Sequence, residues 1–499
     1  MTHHFPWLTM IIFLPLLGGF LALCFARRPI LCRWASLWVS LAELLLVASL
    51  FTLNLPWQSG IAGKWLLTED YLWVGSLGIR YSLGLDGISL MLVLLTAFLS
   101  ALCVLVSWRE IQDRVGAFHF FLFLTETSMI GVFLATDLFL FYLFWEVQII
   151  PMFFLIGIWG HEERVHATVK FILFTIAGSL FMLIALIGLY LIHGAETGQY
   201  TFSLHLLRQT PLRPLTEVCL YTAFLLAFAI KIPIFPVHTW LPDAHTQAPT
   251  AGSVILAGLL LKSGAYALLR FGFPFFPMAA GFSKPLLLVL GLTGLFYAGW
   301  IALAQKDLKR LVAYSSIGHM GIIVIGIAVW NVLTLSGATL QMINHGLTTS
   351  ALFILVGMLD DRLHTREIAR FGGFWKGMPV FSAFFLFFGM ASLGLPGLNN
   401  FVGELLILVG AIKASPVVTW FGFAGLVLTV IYILTVVQKT VFGERRNENP
   451  REQPLSDITA REAIILVPLA AAVLFIGFYP QPVLNLFEGP VAILTGLMK

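Results

Sequence analysis

The chain has 499 residues, 59% of them apolar and only 11% charged, with a formal net charge of +4 and a mean hydropathy of +0.93. An ordinary soluble domain is about 45–50% apolar and about 25% charged, so this is a polytopic membrane protein. It has no long polar segment to house a nucleotide-binding domain, no glycine-rich phosphate loop and no Cys-x-x-Cys pair among Cys24, Cys32, Cys103 and Cys219, which argues against nucleotide, zinc, iron–sulfur and disulfide roles.

Apolar runs of about 20 residues mark membrane spans. In chain order there are about fourteen, at residues 5–26, 35–51, 88–106, 117–135, 138–159, 167–191, 218–237, 252–271, 285–304, 308–330, 332–359, 379–412, 418–442 and 463–479. The first run lacks a preceding basic region and a small-residue cleavage site, so it reads as a span rather than a removed signal. Only Thr136 and Asp137 separate the fourth run from the fifth.

Two runs are interrupted. Pro233 and Pro236 break the seventh just after Lys231, and the stretch from Gly394 to Asn400, with Pro396 and Gly397, breaks the twelfth. Proline has no N–H and frees a carbonyl one turn earlier. In hydrocarbon that is tolerated only where the backbone lines a protein-buried or water-filled cavity. Breaks five spans apart suggest a duplicated unit, and an odd number of spans per unit makes the two copies inverted; such pairs point to ion sites in transporters. The expected organisation is helices 1–3 (residues 1–115), a first repeat (116–271), a second repeat (283–442), and a polar loop with helix 14 (443–499).

Basic residues in alternate loops give the orientation. One set comprises Arg27, Arg28, Arg33, Arg109, Arg114, Arg164, Lys170, Lys306, Lys309, Arg310, Arg362, Arg366, Arg370, Lys376 and those from Lys439 to Arg461, about nineteen in all. The other has about eight: Lys64, Arg80, Arg208, Arg213, Arg270, Lys284, Lys413 and Lys499. The richer set is expected in the cytoplasm, with both termini on the opposite side.

Six ionisable residues fall inside spans: Glu146, Lys231, Lys262, His319, His345 and Glu404. A charge at the centre of a bilayer-spanning helix costs roughly 2.5–3.5 kcal/mol and marks an ion or proton pathway by default. Burial favours neutral lysine and a nearby carboxylate favours the charged form, so Lys231 beside Glu146 could switch when its partner moves. The bland alternatives are a static ion pair and snorkelling to the interface. Lys262 is one turn after Gly258 and beside Ser263 and Gly264, small residues that permit close helix approach and could leave room for water. His319 shares a helix stripe with Ser315, and His345 shares one with Gln341 and Thr348. A histidine with an unperturbed pKa of about 6.5 suits proton relay; carbonyl-bonded core histidines and axial haem ligands are the competing readings. Glu404 follows the second break as a terminal acceptor, or as a carboxylate favoured at the resumed helix's N-terminus. Asp86, Asp137 and Lys170 read as structural, with Asp137 a weaker candidate at the outer exit, and Lys306 as solvated.

Together, FLFYLFWE ending at Glu146, the stretch from Ala227 to Arg270 containing HTWLPDAHTQAPT, DLKRLVAYSSIGHMG from Asp307, QMINHG from Gln341 and LPGLNNFVGE up to Glu404 resemble the antiporter-like membrane subunits of respiratory complex I. The resemblance covers nearly the whole chain and is strongest to the M-type subunits of NADH–quinone oxidoreductase, the counterparts of mitochondrial chain 4. It implies an all-α fold of about fourteen transmembrane helices with two inverted five-helix repeats and broken helices 7 and 12. It also implies a Glu146–Lys231 coupling pair, a hydrated axis of Lys262, His319 and His345, and Glu404 as terminal proton site. A glutamate there is M-like, because the related L and N subunits carry lysine, and the long lateral helix of L-type subunits is missing.

The function so implied is proton translocation coupled to quinone reduction in partner subunits of a bacterial inner-membrane complex. NADH, FMN, iron–sulfur clusters and quinone are expected on those partners, and no cofactor on this chain. Homologous antiporter-like subunits are expected on both sides, with the peripheral arm reached indirectly, lipid around and no nucleic acid. The rivals are a subunit of a multi-subunit cation/proton antiporter, a haem electron-transfer subunit and a passive scaffold.

Overall fold

The computed structural model describes residues 5–53, 65–444 and 456–497. Helices dominate because hydrocarbon offers no partner to a backbone N–H or C=O. They are α1 (Trp7–Cys24), α2 (Pro29–Ser49), α3 (Gly87–Glu110), α4 (Val115–Leu134), α5 (Leu138–Trp159), α6 (Arg164–Thr197), α7 (Pro214–Lys231), α8 (Trp240–Gln247), α9 (Thr250–Phe275), α10 (Pro277–Ala304), α11 (Leu308–Val329), α12 (Val332–Leu363), α13 (Pro379–Ser392), α14 (Asn399–Ala411), α15 (Pro416–Phe442), α16 (Ala460–Phe478) and α17 (Gln481–Gly496). Among the described residues, thirteen are long and apolar enough to cross a membrane. The short pair α13 and α14 supplies the interrupted crossing, which makes the expected fourteen.

Burial sorts these helices into two classes. The most apolar windows of α9, α11 and α12 are 100%, 89% and 94% buried, whereas those of α1, α2, α6, α10 and α15 are 28–39% buried. The interior is therefore built around α9, α11 and α12, which also carry Lys262, His319 and His345.

Both expected breaks occur. The seventh span ends at Lys231 and resumes as α8 at Trp240; the twelfth stops at Ser392 and resumes at Asn399. A milder break lies in α5 at Gln148, where Pro151 removes the bond to the Val147 carbonyl. In α9, π turns at Leu256–Leu260 and Leu268–Gly272 flank the segment that carries Lys262.

Several features differ from the sequence reading. The ninth span, α10, begins at Pro277 rather than 285, because Pro285 lies inside it, as proline in a membrane helix can where neighbours satisfy the freed group. An antiparallel hairpin, β1 (Leu67–Val74) with β2 (Ile79–Leu85), lies between α2 and α3, and the amphipathic α17 follows α16 and packs on α3 and α12. Neither reached the threshold of a 20-residue apolar run. Lys64, Arg445, Arg446, Arg451 and Lys499, used for orientation, lie outside the described residues.

The hairpin ties the helix ends together. Glu69 accepts hydrogen bonds from the Leu8 and Thr9 amides at 2.7 and 3.1 Å, at the N-terminus of α1 where a carboxylate is favoured. Asp86 caps α3 in a reciprocal box with Ser89 and accepts from Arg270 of α9 at 2.5 Å. Both side chains of that ion pair are only 9% exposed. Arg270→Ala would leave the Asp86 carboxylate buried without its counter-charge and is expected to destabilise the fold by roughly 3–5 kcal/mol. Denaturation of the purified protein in detergent checks this, and stability matching the parent would refute the role given to the pair.

Candidate functional site

Four of the six predicted residues form one continuous line. Lys262 is fully buried, and its Nζ donates to the Ala257 carbonyl and meets His345 Nδ1 at 2.6 Å. The His345 ring centroid lies 5.5 Å from that of His319. His319 Nδ1 is 3.2 Å from Glu404 Oε1, and its Nε2 is 3.4 Å from the Ser392 hydroxyl. Glu404 Oε1 also accepts from Gln341 Nε2 at 3.2 Å. The line thus crosses from α9 through α12 and α11 to the resumed half of the broken helix, α14.

Local sequence explains the closeness. A Cβ on Gly258 would lie 2.4 Å from Leu99 Cδ1, and one on Gly264 would lie 3.0 Å from Lys231 Cβ. The space beside these glycines is filled by neighbouring helices, so they serve close approach rather than room for water. In the second break Gly394 has φ +77°, and a Cβ there would stand 2.8 Å from Glu404 Oε2. Asn344 Nδ2 donates to the Asn399 carbonyl at 2.7 Å and Asn399 Nδ2 donates to the Asn344 carbonyl at 3.1 Å, which fastens the break to α12.

Lys231 and Glu146 form a looser arrangement than the expected pair. No ion pair joins them within 4.0 Å among the described residues. The Lys231 ammonium is buried without a hydrogen bond and sits 5.0 Å from the Trp145 ring centroid, a cation–π contact. Glu146, half-buried with one oxygen unbonded, acts on Lys231 through space and neighbours the Tyr142 hydroxyl. The break after Lys231 leaves it at a helix end, packed against the Gly264 turn of α9.

Four residues that sequence reasoning did not single out belong to the same constellation: Trp145, His245, Lys309 and Ser392. His245, fully buried on α8 and stacked on Phe353 at 4.6 Å, has both ring nitrogens unbonded and feels both Lys262 and Lys309. Lys309 Nζ donates to the Ala248 carbonyl at 2.5 Å. Below it opens a polar cavity of about 500 Å³ lined by residues including His161, Gln247, Lys306, Asp307, Asp360 and Arg366. Burial, reinforced by Lys309 and Arg366, pushes the His161 imidazole there down to about 3. His245 was legible as part of HTWLPDAHTQAPT, but its neighbours come from α11 and α12, distant in sequence.

The residues read as structural behave so. Asp137 caps α5 by accepting from the Phe139 and Leu140 amides at 3.0 Å, Lys170 pairs with Asp243 at 2.6 Å, and Lys306 lines the polar cavity.

Gly394→Ala should displace the Glu404 carboxylate and cost roughly 1–2 kcal/mol for the left-handed backbone. Proton transport and denaturation measured together check this: transport falling with little loss of stability is expected, whereas unchanged transport would detach Glu404 from the line.

The family described as "NADH:quinone oxidoreductase/Mrp antiporter, TM" matches residues 135–431. The NADH-quinone oxidoreductase subunit M of Pseudomonas aeruginosa is 45% identical over 493 residues, covering 96% of this chain and 95% of that relative. Among solved structures, a chain of respiratory complex I from Thermus thermophilus with bound NADH superposes with a TM-score of 0.88 at 32% identity, covering 99% of this chain and 100% of that one. A chain of the Mrp complex from Dietzia sp. shares the fold, with a TM-score of 0.84 at 20% identity and 99% of each chain covered. The match across most of the central helices and a relative of nearly equal extent agree with the charged line through α9, α11, α12 and α14: the chain belongs to the NADH:quinone oxidoreductase/Mrp antiporter transmembrane family.

Proposed function

We propose that the chain is a membrane-arm subunit of an NADH–quinone oxidoreductase that translocates protons while quinone is reduced in partner subunits. The observation that carries this reading is the line of buried ionisable groups Lys262–His345–His319–Glu404, hydrogen-bonded at each end and joined in the middle by two imidazole rings 5.5 Å apart. Electron transfer is assigned to the partners, with NADH, FMN, iron–sulfur clusters and quinone there and no redox centre in this chain. Neighbouring antiporter-like subunits flank it, and the set of loops richer in lysine and arginine faces the cytoplasm, which puts both termini in the periplasm. The two interrupted helices belong to a pair of inverted five-helix units.

In the proposed stroke, an electrostatic change at Glu146 weakens its through-space hold on Lys231. Buried against Trp145 without any hydrogen bond, Lys231 then has little to keep its charge and gives up its proton toward Lys262. Lys262 hands its own ammonium proton to His345 Nδ1, with which it is already in line, and is refilled by the proton from Lys231. A proton accepted there moves to His319 and, through Nδ1, to Glu404, while Gln341 and Ser392 keep Glu404 and His319 aligned. Lys309 and His245 supply the replacement proton from the polar cavity. Moving one charge against 100 mV requires roughly 2.3 kcal/mol, within reach of gaining or losing one buried ion partner.

The multi-subunit antiporter reading is weaker because the Mrp likeness extends to the fold alone, while relatives at far higher identity are quinone oxidoreductase subunits. A haem subunit would need iron and its macrocycle between the two imidazoles, yet their ring centroids are only 5.5 Å apart. In the assembled complex, Lys231→Ala and Glu146→Ala are expected to abolish most proton pumping. Pumping at the parent ratio in both variants would reject the coupling role, and sodium-dependent proton flux without quinone reduction would favour the antiporter.

A further inference from the structure

Away from this line, the flank formed by α2, α3 and α4 buries a second set of ionisable groups. Glu43 of α2 is 0% exposed and Glu126 of α4 is 1% exposed, and none of their four carboxyl oxygens has a hydrogen-bond partner. Helices α2 and α4 pack directly on each other, and the Glu126 carboxyl acts on Glu43 through space. The Ser100 hydroxyl of α3, itself 1% exposed and otherwise unpartnered, faces Glu126.

Among the described residues, no cation acts on either carboxyl. On α2, the Arg33 guanidinium bonds the Ile111 carbonyl at 2.8 Å and Gln112 Oε1 at 3.0 Å, and Cys32 lies beside Ser36. On α3 the nearby titratable groups are Cys103 and Glu110. On α4, His119 is tied to the Val115 carbonyl at 2.8 Å, while α1 brings only the exposed Cys24. Lys262, on α9 against α4, is committed to Ala257 and His345. Tyr266 on the same helix donates to the Phe133 carbonyl at 2.8 Å. Tyr142 and Glu146 of α5 act on each other.

Two ionised carboxylates buried on facing helices without hydrogen-bond partners are untenable, and such a pair resolves the conflict by keeping a proton. Thr96, Ser100, Cys103, Ser107 and Glu110 follow one another on α3 at alternating steps of four and three residues, which places them on one face, and all but Glu110 are fully buried there. Ser100 is about 15 Å above Glu110, and Glu126 lies at a similar height on α4, by the rise of a helix. Glu110 accepts from the Thr250 amide at 2.8 Å and leaves its other oxygen unbonded. Its neighbour Arg109 lines a second polar cavity of about 580 Å³ on the same face as the first.

We propose that Glu43 and Glu126 form a second proton-binding site, two buried carboxyls on facing helices of which at least one holds a proton and exchanges it along the polar face of α3 through Glu110. The pair does not rest on the route through Lys231, so failure of either reading leaves the other standing.

The test is infrared difference spectroscopy of the membrane complex containing the chain, in sodium-free buffer, with deuterium exchange. A protonated-carboxyl C=O band is expected in the parent and should be lost in both Glu126→Gln and Glu43→Gln. If those variants fail to assemble, Ser100→Ala should still shift the band by removing the hydroxyl neighbour. Glu110→Gln should slow deuteration of the band several-fold. Persistence of an identical band in the glutamine variants, no shift in Ser100→Ala, or an unaltered exchange rate in Glu110→Gln would overturn the proposal. A band that appears in the parent only when sodium is withdrawn would mark a cation site and overturn it equally.

Discussion

A charged side chain in the membrane interior must find its counterpart on another helix, and the arrangement of this bundle follows from that constraint. Lys262 is the clearest case. No carboxylate is available to it, so it settles between a backbone carbonyl of its own helix and an imidazole from α12. That contact requires α9 to be buried on every side, since any lipid-facing surface would expose the path. It also requires glycine at the crossings with α3 and α7, where larger side chains would push the helices apart. The histidine thus held by Lys262 faces a second histidine, which reaches the carboxylate of a helix that had to be broken to deliver it.

The two breaks serve different ends. After Lys231 the chain leaves the helix with the ammonium at its tip, held by an aromatic face and packing rather than by hydrogen bonds. Such a group is sensitive to small electrostatic changes nearby. At the other break the freed backbone is recaptured by reciprocal bonds between Asn344 and Asn399, and Gly394 leaves room for Glu404. Lys231 is loosely held, whereas the Glu404 end of the line is fastened.

Much of this was legible beforehand. Lys231, Lys262, His319, His345 and Glu404 announced themselves because each is a polar residue in a run of about 20 apolar ones, and such runs admit few explanations. The breaks were visible because proline and glycine act locally. By contrast, the hairpin over residues 67–85 and the helix Gln481–Gly496 carry alternating or amphipathic patterns too short for a span signal. His245 and Lys309 were passed over because one lies in a polar half-helix and the other looked like a loop charge. Their burial comes from segments distant in sequence: α11 and α12 cover His245, and the Ala248 turn after α8 receives Lys309. Glu43 and Glu126 were hidden in a similar way, being far apart in the chain and brought together only where α2 meets α4.

The amino-acid order by itself determined that the chain spans a membrane about fourteen times, where it breaks, and which groups carry charge at depth, since hydropathy, proline and ionisation are properties of short segments. Which groups touch was decided only by the folded bundle. Glu146 holds Lys231 through space rather than by a direct ion pair, the cation lies over Trp145, and Glu404 meets His319. Helix periodicity states which face a residue occupies, but not the rotation or height of the helix opposite, and a hydrogen bond is decided within a fraction of an ångström. That last distance is set by packing between helices far apart in sequence.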